Sequence, residues 1–429
     1  MRLIDEKWEQ IFDRYDVAKE IERNGLFHIT ANQIKEFKEP RLMTKFDTRE
    51  SLPRVFGDKL GILPVTRGSY VIGEFDLYED FPEIKDNTLH SGMSGITTAK
   101  IPDYLTTVDI HHISSEAAAI NVMGIAAILD DFLNEENLLQ TVSGRMGSGK
   151  FSFSLSDEKR TTSTIIQVEN SQLEIDGGFE SKNGFVLVEG KNVVHSNFLI
   201  RQLYYPLRLW ESKINKPIRP VFMVYSNEVF RLLEYTFTDT YDYNSIQLVQ
   251  ERLYSLEDND ISFADLLQVC KEARLIAEPE VPFPQADSFE KVISLLENLA
   301  KTPMTTGEIA ELFGFRERQS DYYYNACRYL GLAEKSLDEE KMKRVFISEK
   351  GKALLSLPYK KRQKAYVAEI LQHGVFRDVF KKSVDLNRIP DKEYIANQMR
   401  KEKLCSESLI SRRAGTVSGW MRWIFNLCR

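Results

Sequence analysis

Apolar positions along this chain change period several times, and the changes mark out its elements. The opening MRLIDEKWEQIFDRYD is amphipathic and reads as a helix, and Leu63 to Glu74 (LPVTRGSYVIGE) alternates as a strand does, punctuated by Gly and Pro. Ser114 or Ser115 is placed to cap a helix from Glu116 to about Phe132 with one broad apolar face. Three strands are expected next. Phe151, Phe153 and Leu155 alternate with serines; Ser163 to Asp176 is extended with an interruption at Glu169-Asn170; and Phe185 to Lys191 (FVLVEGK) is apolar up to its polar end. Gly177, Gly178 and Gly184 mark a turn between the last two. Asn197 to Ser212 has helical period, and Pro220 to Tyr225 (PVFMVY) reads as a buried strand. That order predicts a sandwich around one mixed sheet.

The acidic, proline-containing Glu278 to Asp287 (EPEVPFPQAD) reads as a linker. Beyond it, Phe289 to Leu299 is a helix, and Thr305-Thr306-Gly307-Glu308 has the spacing of a capping box that opens a second helix to Phe313. A third helix spans Arg316 to Leu330, and a hairpin has arms at Ala333 to Ser336 and Arg344 to Ile347. Three short helices and a hairpin make the winged form of helix-turn-helix. The fold class expected is therefore α/β (α+β) and multidomain. Residues 1–114 form an N-terminal α/β region that could read DNA, 115–277 a catalytic core with a mixed central sheet, 286–357 a winged-helix domain, and 358–429 a basic helical region.

Composition narrows the classes. With 42% hydrophobic and 28% charged residues, the chain can bury sizeable cores and is not disordered. Its longest apolar stretch, Ala117 to Leu129, is well short of the roughly 20 residues a membrane helix needs, and the N-terminus lacks a secretory apolar region. A cytoplasmic protein without membrane partners is expected. Cys270, Cys327, Cys405 and Cys428 have neither zinc nor disulfide spacing, and the adjacent His111 and His112 would point to different sides of an element. Net charge is −7, but residues 358–429 hold sixteen basic and seven acidic side chains, +9, which leaves −16 on the rest. A basic end on an acidic body suits a protein that binds DNA with one part and metal with another; a solvated helical face gives the same count.

Chemistry concentrates in Glu174-Ile175-Asp176-Gly177-Gly178-Phe179-Glu180 and Val188-Glu189-Gly190-Lys191. Phosphodiester hydrolysis needs a hard cation, and carboxylate oxygens are its natural ligands. If the two strands pair antiparallel, Asp176 and Glu189 converge on one ion. Lys191, two residues after Glu189, leaves the same face and can orient water or stabilise developing charge on phosphorus. D-x12-E-x-K is a loose pattern, and a solvated Glu189–Lys191 pair would satisfy it. Charge at the end of an apolar strand is costly unless used, which favours the catalytic reading.

EIDGGFE, VEGKN, NFLIRQLYYPLRLW and YNSIQLV, together with GRMGSGKFSF, DYYYNACRYLGL and ISRRAGTVSGWMRWI, closely resemble prokaryotic type II restriction endonucleases of the PD-(D/E)XK superfamily. The resemblance covers about residues 110 to 429. It implies that Asp176, Glu189 and Lys191 are the D, E and K of the signature, with Ile175 at its variable proline position. It further implies Mg2+ as cofactor and site-specific hydrolysis of double-stranded DNA to 5′-phosphate ends. A homodimer is an open alternative for assembly, and a cognate DNA methyltransferase would act on the same site without necessarily binding the nuclease.

Further candidates are Gln202, facing the site or packing in the core, and Glu174, which shares a face with Asp176 and could assist the metal. Glu180 and Glu116 are weaker. Gly144 to Lys150 imitates a phosphate-binding loop, but position 151 is Phe and FSFSL alternates like a strand, so no nucleotide site is expected. Asp58 to Gly61 is only a turn. For DNA contacts, Arg316, Arg318, Gln319, Ser320 and Asn325 suit base edges and phosphate, and Arg412 and Arg413 suit phosphate. The competing function is a winged-helix DNA-binding regulator with an inert nuclease-like core.

Overall fold

The apolar run Phe185–Lys191 is buried on both faces because it lies inside a seven-stranded mixed sheet. The order across the sheet is Thr97–Thr98, Ile246–Ser255, Val229–Phe237, Ile218–Ser226, Phe185–Lys191, Gln172–Glu180 and Leu139–Gly147. Phe185–Lys191 pairs antiparallel with Gln172–Glu180 and parallel with Ile218–Ser226. A parallel neighbour needs a crossover, and the helix Arg201–Glu211 supplies it. The computed structural model describes residues 2–82, 95–111, 113–315 and 317–428, apart from the side chains of 317 and 318. It divides into two compact units, one of Met1–Phe81, Ile101–Tyr225 and Arg231–Arg252, the other of Pro82–Lys100, Ser226–Phe230 and Leu253–Arg429.

In the first unit, Phe185 and Leu187 pack with Leu203, Tyr204 and Leu207 of the crossover helix. The hairpin Lys150–Ser156 with Ser163–Glu169 packs on that helix, Phe153 meeting Tyr204 edge-on at 5.1 Å and stacking on Tyr243 at 5.5 Å. The helix expected from Glu116 to Phe132 is two, Glu116–Ile125 and Ile128–Leu133, because Ala127 adopts φ 50° between them. Ser115 is the cap of the first, accepting from Ala118 N–H at 3.1 Å. Residues before 72 build their own core around Trp8, Ile11, Phe12 and Phe56, against the sheet Leu26–Thr30, Ser69–Glu74, Leu60–Pro64. The boundary expected at 114 falls inside this unit, since Leu77, Tyr78 and Phe81 share a core with Phe198 and Phe222.

Gly177 and Gly178 are not in a turn. They lie within the strand Gln172–Glu180, where side chains do not fit: a Cβ on Gly178 would stand 2.9 Å from the Phe185 ring and from Val142. The turn comes later, where Ser181 Oγ accepts from Asn183 and Gly184 N–H, each at 3.1 Å.

In the second unit, helices Phe289–Lys301, Thr306–Phe313 and Glu317–Tyr329 precede the hairpin Ala333–Leu337 with Lys343–Ile347. The capping box is present, Thr305 Oγ1 accepting from Glu308 N–H and the Glu308 carboxylate from Thr305 N–H. The boundaries expected at 277, 286 and 357 do not separate compact bodies. Helix Phe263–Glu272 belongs here, Asp265 accepting from Lys364 Nζ at 2.7 Å. The segment read as a linker is seated on the last helix, Glu407–Asn426. Trp420 Nε1 donates to Ala286 O at 2.7 Å, Thr416 Oγ1 to Asp287 at 2.8 Å, and a Cβ on Gly419 would lie 2.1 Å from Asp287 O. Among the described residues, no helix is long and apolar enough to cross a membrane.

Candidate active site

Asp176 and Glu189 come near one another because their strands pair as far as Val188 opposite Gly177, and each of the two residues follows directly on that last pair, close enough for the Asp176 charge to act on Glu189. Asp176 Oδ2 accepts the Gly190 N–H at 2.9 Å, so the partner strand fixes its carboxylate. Lys191 Nζ donates to Glu189 Oε1 at 2.6 Å, and the Gln202 amide donates to the same oxygen. Between them, Gly190 turns toward Ile120 and Met223, where a Cβ would have neighbours at 3.1 Å on both. A side chain there would require the Ile120 and Met223 tips to give by a few tenths of an ångström.

Burial sets the electrostatics. Glu189 is 8% exposed, and loss of solvent pushes its carboxyl up to about 8; Lys191 pulls it down and the Asp176 charge pushes it up further. Burial works against the Lys191 charge, but Glu189, Asp47 and Glu116 outweigh it and hold the ammonium above the usual lysine range. The carboxylates around Lys191 thus hold it as a cation, while burial weighs against the charge on Glu189.

Gln202 is at the site, in the first turn of Arg201–Glu211, and its Oε1 is buried without a hydrogen-bond partner. Glu116, in the first turn of its helix, acts on Lys191 through its charge. Glu174 instead accepts from Arg145 Nε at 3.3 Å, and Glu180 from Lys216 at 2.6 Å. Sequence reasoning missed Asp47. Nothing local to residues 44–51 signals chemistry, and only the fold brings that segment to a strand some 150 residues later. Among the described residues, no group of three or more His, Cys, Asp and Glu side chains is placed to hold a metal ion. Gly144 to Lys150 is a strand end, a turn and the start of the next strand, with Lys150 beside Glu169 at 3.6 Å and 78% exposed; no helix opens there to receive phosphate.

The expected DNA contacts separate. Arg316 and the Arg318 side chain lie outside the described residues, as does His112 of the adjacent histidine pair, which was no DNA candidate. Ser320 is fully buried and cannot present its hydroxyl to DNA, because its side of the helix packs into the core; Gln319 is half-buried. Asn325 lines a groove of about 580 Å³ with Asp321, Tyr324, Arg328, Lys335 and Lys343, between helix and hairpin. Arg328 is exposed three residues beyond Asn325 and was not singled out in the sequence. Arg412 is exposed, whereas Arg413 is half-buried, its Nε without a partner.

The chain matches three family models, all domains of unknown function. They are DUF6996 over residues 5–72, DUF6997 over 73–255 and DUF7226 over 291–429. No curated protein and no solved structure matches it. The first two models meet at 72/73, where the N-terminal core ends, and the candidate residues 176, 189, 191 and 202 all lie in DUF6997.

Proposed function

We propose that this chain is a type II restriction endonuclease, a site-specific deoxyribonuclease that uses Mg2+ to hydrolyse double-stranded DNA, leaving 5′-phosphate and 3′-hydroxyl ends. The observation that carries the reading is the two carboxylates at the end of one strand pair, Asp176 held by the Gly190 N–H and Glu189 accepting from both Lys191 and Gln202. Magnesium keeps several waters and takes only one or two protein carboxylates beside substrate phosphate, so a two-carboxylate site suits it. Asp176 and Glu189 would hold the ion. The donor set fits: burial and the Asp176 charge push the Glu189 carboxyl up, which an adjacent cation would offset, and Gln202 Oε1 is a buried oxygen with nothing to accept from. When bound, the ion supplies Lewis-acid polarisation of phosphate and water of lowered pKa.

The chain's own groups do the rest. Asp176 is held by the Gly190 N–H, and Gln202 restrains the Glu189 carboxylate, so the ion's ligands are set before DNA arrives. Lys191 Nζ stays protonated and donates, to a water or to a phosphoryl oxygen gaining charge. Three helices and a hairpin in the second unit support a winged helix as the DNA-reading part, with Asn325 and Arg328 toward base edges and Lys335, Lys343 and Arg412 toward phosphate. In this reading the enzyme works in the cytoplasm, alone or as a homodimer, on sites that a cognate DNA methyltransferase protects.

The test is a plasmid digest with magnesium and with chelator, for wild type and Asp176→Ala. Magnesium-dependent fragments with ligatable ends, lost in the variant, are expected. Tight sequence-specific binding without any cutting would instead favour a winged-helix regulator with an inert core.

A further inference from the structure

Helix Glu317–Tyr329 packs one side inward, with Ser320, Tyr323, Tyr324, Ala326, Cys327 and Tyr329 buried and Tyr323 stacked on Phe315 at 4.8 Å. Asp321, Asn325 and Arg328 stand at i, i+4 and i+7, so they form one stripe, and all three line the groove of about 580 Å³ against the hairpin. Asp321 and Arg328 are exposed and Asn325 is half-buried. At about 1.5 Å of rise per residue the stripe spans about 10 Å, or three base-pair steps of about 3.4 Å. Among the described residues, none of these three side chains is engaged in a hydrogen bond or an ion pair. Arg344 on the hairpin is, by contrast, already taken by Asp338 at 2.7 Å and Glu308 at 2.8 Å.

The groove sets the cations Arg328, Lys335 and Lys343 against the carboxylates Asp321 and Glu334. Cations can meet phosphate whatever the sequence, but a carboxylate is repelled by it. An outward aspartate in the middle of a reading stripe needs a donor, and the donors on the major-groove edge of DNA are the amino groups of cytosine and adenine. A carboxylate only accepts, which suits cytosine N4; adenine offers N6 and N7 together and suits the amide of Asn325. In a Watson–Crick pair the inner hydrogen of the cytosine amine goes to guanine. A methyl group on N4 therefore takes the outer position, in place of the hydrogen a carboxylate would receive. Methylation at C5 leaves that hydrogen where it is.

We propose that Asp321 reads a G·C pair of the recognition sequence by accepting from the cytosine N4 amine, so that methylation of this amine, and not of C5, shuts the protein out. This rests on the reading of the second unit as the DNA-reading part of a nuclease.

The experiment selects bound duplexes from a random pool in the presence of chelator, using full-length wild type, Asp321→Ala and Asp321→Asn. Asp321 is exposed, so neither substitution opens the core. Wild type should enrich a sequence with a fixed cytosine. In Asp321→Ala that position alone should become indifferent, and in Asp321→Asn its preference should move to adenine. N4-methylcytosine at that position should weaken wild-type binding about 10- to 100-fold, the scale of one lost base contact, and leave Asp321→Ala nearly unaffected. 5-Methylcytosine there should leave wild-type affinity unchanged. The same enriched sequence in all three proteins would overturn the inference, as would an equal loss on N4-methylcytosine in wild type and Asp321→Ala. So would a parallel tightening of Asp321→Ala on specific and random DNA, which would make the carboxylate only a repeller of phosphate. If wild type enriches no sequence, the inference fails, and magnesium-dependent plasmid cleavage by the same preparation shows whether the nuclease reading stands without it.

Discussion

Lys191 Nζ stands 2.6 Å from Glu189 Oε1 on one face of one strand, separated in the chain by a single glycine. The pair is enclosed, so its two halves are not equivalent when removed. Glu189→Ala leaves an ammonium without its partner and should cost about 3 kcal/mol of stability, less whatever residual solvent recovers. Glu189→Gln and Lys191→Met should keep the fold more nearly intact while lowering cleavage about 100-fold or more. Chemical denaturation beside single-turnover rates separates the two effects. Full activity in Lys191→Met would remove Lys191 from the chemistry.

Gly178 tests the packing that brings the carboxylates together. A Cβ there would meet Phe185 and Val142 at 2.9 Å, two neighbours in the sheet that cannot move independently. Gly178→Ala should destabilise by about 1 to 3 kcal/mol and lower the melting temperature. An unchanged melting temperature would mean that the strands open here more readily than their packing indicates.

Asp265 gives a pH dependence with a definite sign. Hydrogen bonds from Lys364 and Ser262 hold its carboxyl below the usual range. A depressed folded-state value stabilises the protein above the unfolded-state value, near 4, and that stabilisation is lost as pH falls through the depressed folded value. Asp265→Ala should cost about 1 kcal/mol at neutral pH, the scale of a helix cap, and the difference from wild type should shrink on acidification. Denaturant midpoints from pH 7 downward would show it; a gap that widens in acid would contradict the sign.

DNA affinity and discrimination should separate by residue. Neutralising Arg412 should weaken specific and random DNA alike and flatten the salt dependence, since phosphate contacts release counterions whatever the sequence. Asn325→Ala or Arg328→Ala should narrow the gap between specific and random DNA, by about 1 to 3 kcal/mol for each bidentate hydrogen-bonded pairing with a base that is removed. Titrating both DNAs over a range of salt distinguishes these patterns. Unchanged discrimination in both groove variants would move base reading to the N-terminal region.

Local pattern made several elements legible. Serines alternating with Phe151, Phe153 and Leu155 gave a strand, Asn170 with φ 53° the expected interruption, and Ser115 and Thr305 their caps. The spacing of Glu189 and Lys191 foretold their shared face, because side-chain period in a strand is fixed. What escaped depends on distant partners. Gly177-Gly178 looks like a turn, yet is demanded within a strand by Phe179, Ile120, Phe185 and Val142. Ser320 is polar at a helix start and is nonetheless interior. Asp47 has no neighbour in sequence to announce it; its place follows from hydrogen bonds to residues 78, 197 and 199.

The seating of Ala286 and Asp287 on Gly419 and Trp420 changes where this chain can be cut and rejoined. A proline-rich acidic stretch invites use as a splice point for exchanging recognition modules between enzymes. Here its end is buried at Phe283, Pro284 and Ala286, and a chimera joined at 286 would part the segment from the helix that receives it. Grafts that keep residues 253–429 together carry their own anchorage with them.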